Sequence, residues 1–359
     1  MSAIADVAER RTTAIRRYEP GRAAASSAGK LSSNEAPLGP APAVRAAVAA
    51  ASHTVHRYAS SEPLRAALAA RLGIPGDRVV LTSGSDELCY LLATLFVDDG
   101  DRVVLSRPCY QIDELVTRVH RGAPVFVDLR EDGSHDLDAM AAAARDAALL
   151  WLPTPHNPTG AAVAPDALVR LLGDVPERCL VVLDEAYRAY ADPALRPDVG
   201  GLLERHPNLV VQRTFSKDHA LAGLRVGYGL AAPEVVAALD AIRPPFNVNT
   251  VAVAAAVAAL DQPAWRAYGV ELVRRERDRL ERHLAALGFE HHASQANFVT
   301  ARIPDPEALH ARLAAAGQAI RDGADLGLPG WVRISVGAPP QMAVLRAVLT
   351  DHKEHLCRS

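Results

Sequence analysis

Seven short apolar runs, spread over about 150 residues and interleaved with helix-length stretches, leave this chain few folds to choose from. The runs are 78–83, 102–106, 125–129, 149–153, 180–184, 209–214 and 225–230. None alternates apolar with polar residues, and each is bounded by Gly, Pro, Asp or Ser. Such runs read as strands buried on both faces. Helical stretches at 41–52, 63–72, 85–97 and 111–121 separate them. The alternation predicts an α/β fold, with a mostly parallel seven-stranded sheet covered by helices.

Near Gln262 the pattern changes. A long charged helix is expected over 265–287, and its stretch 274–282 reads as a solvated face. Strand-like pieces at 297–303 and 332–336 and helices at 306–315 and 339–351 then predict a smaller α+β domain. Residues 1–40, rich in Ala, Ser, Gly and Pro, read as an arm. The expected division is an arm over 1–40, a large domain over 41–260 and a small domain over 261–359.

Other classes fit poorly. The longest wholly apolar run, 251–260, is about half of the roughly 20 residues a bilayer span needs. The first 20 residues are charged and lack the apolar core of a secretory signal. A formal charge of −3 with no Lys/Arg run argues against a nucleic-acid partner. Cys89, Cys109, Cys179 and Cys357 show no CxxC spacing and no His partners at zinc-site distances, so no metal is expected. They read as reduced thiols of a cytoplasmic protein. Neither GxGxxG after a first strand nor a Walker-type GxxxxGK[ST] is present, which disfavours a nucleotide-binding fold.

Ligands of open parallel sheets bind at the C-terminal ends of strands. Run 78–83 enters Gly84-Ser85-Asp86 and a helix, whose start offers free N–H groups to a phosphate. Run 102–106 ends near Tyr110, and 149–153 leads to His156-Asn157-Pro158. Run 180–184 ends in Asp184-Glu185-Ala186-Tyr187, and 209–214 in Thr214-Phe215-Ser216-Lys217, with Arg225 following. Asp184 by itself could be a buried acid paired to a neighbouring arginine. Lys217 is harder to set aside, because the only other lysines, Lys30 and Lys353, lie near the termini. A Schiff-base lysine, an acid facing a pyridine nitrogen, a stacking aromatic and a phosphate cup together describe a site for pyridoxal phosphate.

These residues also carry a family likeness. Leu31-Ser32-Ser33-Asn34-Glu35, Ser83-Gly84-Ser85-Asp86-Glu87, His156 to Gly160, Asp184 to Tyr187, Arg213 to Lys217, Leu221 to Tyr228 and Pro244 to Val248 together resemble the fold-type I aminotransferases. In particular they resemble histidinol-phosphate aminotransferases and the related aromatic (phenylalanine) aminotransferases of actinobacteria. The likeness runs from about Tyr18 to Leu349.

The resemblance implies a fold-type I transferase acting by ping-pong transamination, with an amino donor and a 2-oxo acid such as 2-oxoglutarate. It implies that Lys217 forms the Schiff base, Asp184 meets the ring nitrogen, and Asn157 and Tyr187 bond the ring hydroxyl. Tyr110 would stack on the ring, and Ser85, Asp86, Thr214, Ser216 and Arg225 would hold the phosphate. Tyr58 would reach the phosphate of a neighbouring subunit, implying a homodimer with shared sites. Arg333, Arg321 and Tyr18 would contact the anionic end of the substrate, with Asn34 nearby, and the arm would join the small domain. A decarboxylase or an oxidase on the same scaffold is the first rival, and a non-catalytic cofactor-binding regulator a remote one. Ala36, Ala59-Ser60, Thr154, His156 and His219 depart from the family's usual text. Two readings of these departures stay open: drift at tolerant positions, or a changed substrate in specialised metabolism, with Ala36 and His219 bordering the substrate space, where a histidine could titrate near neutral pH.

Overall fold

Alternate residues of the buried runs go to opposite sides of one sheet. Val79, Leu81, Leu150, Leu152, Val181, Leu183 and Val211 join one apolar cluster. Val80, Leu149, Trp151, Leu180, Val182 and Val210 join another. Successive side chains of a strand point to opposite faces, so helices on both sides find an apolar surface to cover. A computed structural model of the chain describes residues 29–357 continuously and, before them, residues 4, 5, 9, 12, 13, 15, 21 and 24.

The strands are β1 (Lys30–Leu31), β2 (Val79–Thr82), β3 (Arg102–Arg107), β4 (Ala123–Asp128), β5 (Leu149–Pro153), β6 (Leu180–Asp184), β7 (Leu209–Thr214), β8 (Gly227–Leu230), β9 (Phe298–Arg302), β10 (Ala319–Asp322) and β11 (Trp331–Ser335). Helices α1 (Pro42–Ser52), α2 (Glu62–Leu72), α3 (Ser85–Phe96), α4 (Gln111–Val119), α5 (Leu137–Ala144), α6 (Pro165–Asp174), α7 (Val199–Arg205), α8 (Pro233–Ile242) and α9 (Thr250–Leu260) accompany the larger sheet. Helices α10 (Pro263–Ala286), α11 (Pro306–Ala315) and α12 (Pro339–Leu356) accompany the smaller one.

The seven-stranded sheet has the order β2-β8-β7-β6-β5-β3-β4. It is parallel except for β8, which runs antiparallel to both neighbours. The fold is therefore the expected α/β class. The smaller sheet has the order β1-β10-β11-β9. In it β1 is parallel to β10, and the remaining pairs are antiparallel. Leu31, Val299, Ile320, Ile334 and Met342 belong to its own apolar cluster.

Several boundaries moved for physical reasons. The run at 225–230 becomes a strand only from Gly227, because Arg225 takes a left-handed φ of 54° that a strand does not accept. Neither β1 nor β10 was foreseen: β1 has two residues and β10 reads Ala-Ile-Arg-Asp. Helix α12 continues beyond the expected end at 351, to Leu356. The stretch 274–282 is only partly solvated. Glu276 is buried between Arg279 (2.5 Å) and Arg346 (3.0 Å), and buried Arg277 donates to the Tyr190 and Ala296 carbonyls.

The smaller sheet is tied to the mouth of the larger. Thr300 Oγ1 donates to the Pro158 carbonyl and Gln295 N–H to the Gly160 carbonyl. Among the described residues no helix is long and apolar enough to cross a membrane, and no group of three or more His, Cys, Asp or Glu side chains is placed to hold a metal.

Candidate active site

The parallel strands β5, β6 and β7 end side by side, so the residues that follow them share one edge. A cavity of about 220 Å³ opens there. Ser85, Asp86, Tyr110, Asn157, Asp184, Tyr187, Thr214, Ser216, Lys217 and Arg225 all line it. Five further lining residues have no role in the sequence reading, although all but Pro153 stand within its motifs: Ser33, Glu35, Pro153, Ala186 and Ala222.

At one end the side chains form an anion cradle. Helix α3 starts at Ser85 with Gly84 as its cap, and this leaves the first-turn N–H groups without helical acceptors. Glu87 reaches back to the Ser83 N–H (2.6 Å) and accepts from Asn247 Nδ2 (2.6 Å), which fixes the turn. The spacing is that of a capping box displaced by one residue. Thr214 Oγ1 accepts from the Ser216 N–H (3.1 Å) and donates to Ser216 Oγ (2.9 Å). Arg225 donates to Ser216 Oγ (3.4 Å) and pairs with Asp86 (3.3 Å). Tyr110 OH donates to the other Asp86 oxygen (3.1 Å). Gly84 has a φ of +80°, and a Cβ there would lie 2.4 Å from the Arg225 guanidinium. A Cβ on Gly227 would lie 2.9 Å from the Ser85 nitrogen and fill the cradle.

The centre of the cavity holds an acid and an amine. Asp184 accepts the Ala186 N–H (2.8 Å), and burial pushes its carboxyl up to about 6. Among the described residues no arginine pairs with it. The nearby guanidinium, Arg213, goes to the next residue, Glu185 (2.6 Å). Gln212, wholly buried, is the β7 neighbour of Asp184 and accepts from Cys89 Sγ (3.4 Å). Lys217 Nζ stands 5.5 Å from the centre of the Tyr187 ring. That ring meets Phe298 edge-on at 5.2 Å.

The smaller sheet supplies the far side. Asn34 Nδ2 donates to Tyr187 OH (3.0 Å), and Ser335 Oγ donates to Asn34 Oδ1 (2.9 Å). Asn297 Nδ2 bonds the Asn34 carbonyl (2.9 Å). Arg333 donates to Asn157 Oδ1 (2.6 Å) and to the Ser32 carbonyl (3.2 Å). Arg321 is the register partner of Arg333 across β10 and β11, so the two share a face. Both are buried, at 2% and 6% exposure, and Arg321 lies 3.7 Å from Asp325. Arg333, Arg321 and Asn34 do not line the cavity themselves; Arg333 and Asn34 reach it through Asn157 and Tyr187. Ser335, in β11, and Asn297, just before β9, were missed because nothing local in the sequence marks a residue that locks another segment.

Other expected residues lie elsewhere. Tyr58 is 83% exposed and stacks on exposed Phe246 (4.4 Å, 18°), away from the cavity lining. Tyr18 lies outside the described residues. Ala36 is not among the lining residues, although Ser33 and Glu35 are. His219 faces a separate cavity with Asp218 and Arg266, and burial pushes its ring down to about 4. It is therefore neutral at neutral pH and does not border this site, contrary to the sequence expectation. Thr154 and His156 brace the turn that carries Asn157. Thr154 Oγ1 accepts the Val163 N–H (2.8 Å), and the His156 ring sits between Ser106 Oγ (3.2 Å) and Thr159 Oγ1 (2.8 Å).

Known proteins resemble this chain in sequence and fold. The family described as aminotransferase class I and II matches residues 28–350. A histidinol-phosphate aminotransferase of Dechloromonas aromatica (strain RCB) is 39% identical over 351 residues, covering 95% of this chain and 97% of that protein. An aromatic amino acid aminotransferase of Rhodococcus opacus (strain B4) is 41% identical over 341 residues, covering 94% and 93%. The crystal structure of histidinol-phosphate aminotransferase from Sinorhizobium meliloti in complex with pyridoxal-5'-phosphate superposes with a TM-score of 0.86 at 31% identity, covering 98% and 94%.

Proposed function

This chain belongs to the class I and II aminotransferase family, and from that premise we propose which amine it takes and how its residues handle it. It is a transaminase that depends on pyridoxal phosphate. Our reading is an amino donor with an anionic group, of the histidinol-phosphate or aromatic amino-acid type. The acceptor is a 2-oxo acid such as 2-oxoglutarate, used in ping-pong turnover. The observation that carries this reading is the buried pair Arg321 and Arg333, side by side on one sheet face and joined to the cavity through Asn157. Two planar guanidiniums shielded from water suit a phosphate or a carboxylate.

The residues fit the cofactor. Gly84 and Gly227 keep open a cradle that a Cβ would fill, and Arg225, Thr214 and Ser216 surround it beside a helix start. When bound, pyridoxal phosphate supplies an aldehyde that links to amines and a ring that draws electrons from the donor Cα. Asp184 would hold a proton on the ring nitrogen. Lys217 would tether the cofactor and carry the Cα proton on its Nζ. Tyr187 OH accepts from Asn34, which leaves its own proton for the ring hydroxyl beside Asn157. Tyr110, held in place by Asp86, would cover one ring face.

The same reading includes a homodimer in which Tyr58 serves the phosphate of the partner. The exposed Tyr58–Phe246 stack beside exposed Val55 supports it, since such apolar surface suits burial against a second copy. It also includes an arm to residue 40, a cofactor-binding part over 41–260 and a smaller part over 261–359. The pairing of β1 with β10 supports the arm's attachment to the smaller sheet. The free thiols of Cys89, Cys109, Cys179 and Cys357 support a cytoplasmic setting.

The experiment gives purified enzyme 2-oxoglutarate with histidinol phosphate, phenylalanine, tyrosine or aspartate and measures glutamate formed. We expect kcat/KM at least tenfold higher for one of the first three than for aspartate. Absence of glutamate from all of the first three, or release of carbon dioxide or peroxide in its place, overturns the reading.

A further inference from the structure

One cavity adjoins the cofactor site without belonging to it, and a second adjoins the first. The inner one, about 190 Å³, shares Ala186 and Thr214 with the cofactor cavity. The outer one, about 380 Å³, shares Arg188, Ala189 and Arg266 with the inner. Their walls carry six guanidiniums and three carboxylates, and the one histidine, His219, is held neutral by burial. The transamination reading uses none of these charges.

Two of the three carboxylates are already committed, and the third, Glu271, is exposed. Glu185 holds Arg213 (2.6 Å) and Arg188 (3.1 Å). Asp218 holds Arg266, and Glu271 lies 3.8 Å from Arg275 on its own helix. Arg196 and Arg274 donate to backbone instead. Arg196 donates to the Ala191 carbonyl through Nε (3.2 Å) and Nη2 (2.8 Å), and to the Ala189 carbonyl (3.0 Å). Arg274 donates to the Tyr190 carbonyl (3.1 Å) and also to the Ala191 carbonyl. Two half-buried cations thus converge on one neutral oxygen. Burial first, then the neighbouring guanidiniums of Arg274, Arg188 and Arg266, disfavours the charged form of Arg196, and the exposed Asp192 offsets this least. A guanidinium does not give up its proton in a protein, so the repulsion remains until an anion relieves it.

We propose that this cleft is a second anion site, taking a compact multivalent anion of the phosphate or pyrophosphate class between Arg196 and Arg274. The guanidinium donors that Arg196 and Arg274 do not spend on the backbone can meet the oxygens of such an anion, and the outer cavity leaves room for it.

The test is calorimetric titration of inorganic pyrophosphate into the cofactor-loaded protein, at an ionic strength held constant with chloride. Loading fills the phosphate cradle, and Arg333→Ala reports any binding at the substrate end. Saturable binding is expected that weakens at least tenfold in Arg196→Gln/Arg274→Gln and less than twofold in Arg333→Ala. Because Arg274 also holds the Tyr190 and Ala191 carbonyls, Arg196→Gln alone is the second arm. It should keep its near-ultraviolet dichroism and lose at least threefold in affinity. An unchanged affinity in Arg196→Gln, abolition of binding in Arg333→Ala, or binding that chloride alone displaces (an adventitious ion only) each overturns the proposal.

Discussion

A methyl group at position 84 would stand 2.4 Å from the Arg225 guanidinium, on a backbone whose φ of +80° already disfavours a side chain. Gly84→Ala is therefore expected to weaken pyridoxal phosphate binding at least tenfold while leaving the far-ultraviolet spectrum unchanged. Equilibrium dialysis measures this, and wild-type affinity would refute it. Asp184 makes a pH-dependent prediction. Burial raises its carboxyl from 3.8 to about 6 in the fold. The stability contributed by its protonated form is fully present below about pH 4 and is lost as pH rises through about 6. In cofactor-free protein, Asp184→Asn should melt near wild type at pH 4 and at least about 3 °C above it at pH 8. An offset equal at both pH values would disprove the assignment. At this scale the motif residues were legible because each follows a strand end, whereas the seat of His219 was not. Two residues beyond Lys217 the chain has turned, and the histidine packs on Phe215 (4.7 Å) in another cavity.

Strands β6 and β7 are joined at their C-terminal ends by a buried ion pair as well as by the ladder. The Glu185 side chain is 1% exposed and that of Arg213 11%. Glu185→Gln leaves Arg213 and Arg188 with no carboxylate and should lower unfolding free energy by about 3 kcal/mol. The pair Arg118–Glu114 on α4 is about one-third exposed, and Arg118→Ala should cost less than about 1 kcal/mol. Denaturant titration of both variants checks the contrast, which fails if the two losses are equal. Most strands of the larger sheet were visible in the sequence because burial on both faces leaves an apolar run that polar surface residues do not interrupt; β4, expected to be buried likewise, is an edge strand and only half-buried. β1 and β10 were not visible. A two-residue strand, and one ending in Arg-Asp, become strands only where a neighbouring edge offers them hydrogen bonds. The charged face of α10 misled for a related reason. Glu276 and Arg277 are buried because Arg346 of α12 and the carbonyls of two loops meet them there.

Across the whole molecule, the cofactor cavity sits where the larger sheet ends, and the smaller sheet reaches it through Asn34 and Arg333. An exposed aromatic stack lies elsewhere on the surface. If Tyr58 completes the site of a second copy, Tyr58→Ala should form dimers yet bind pyridoxal phosphate at least fivefold more weakly. Sedimentation and cofactor titration test this, and undiminished affinity would remove Tyr58 from the site. The sequence by itself determined the α/β class, the strands of the larger sheet and the residues that gather at their ends, because local periodicity and strand-end placement depend on neighbours close in the chain. Only the tertiary structure decided that Arg333 grips Asn157, that Ser335 locks Asn34, that His219 turns away, and that Arg196 and Arg274 crowd one carbonyl. Those contacts join segments far apart in the chain, and their geometry exists only once two sheets and a long helix have packed.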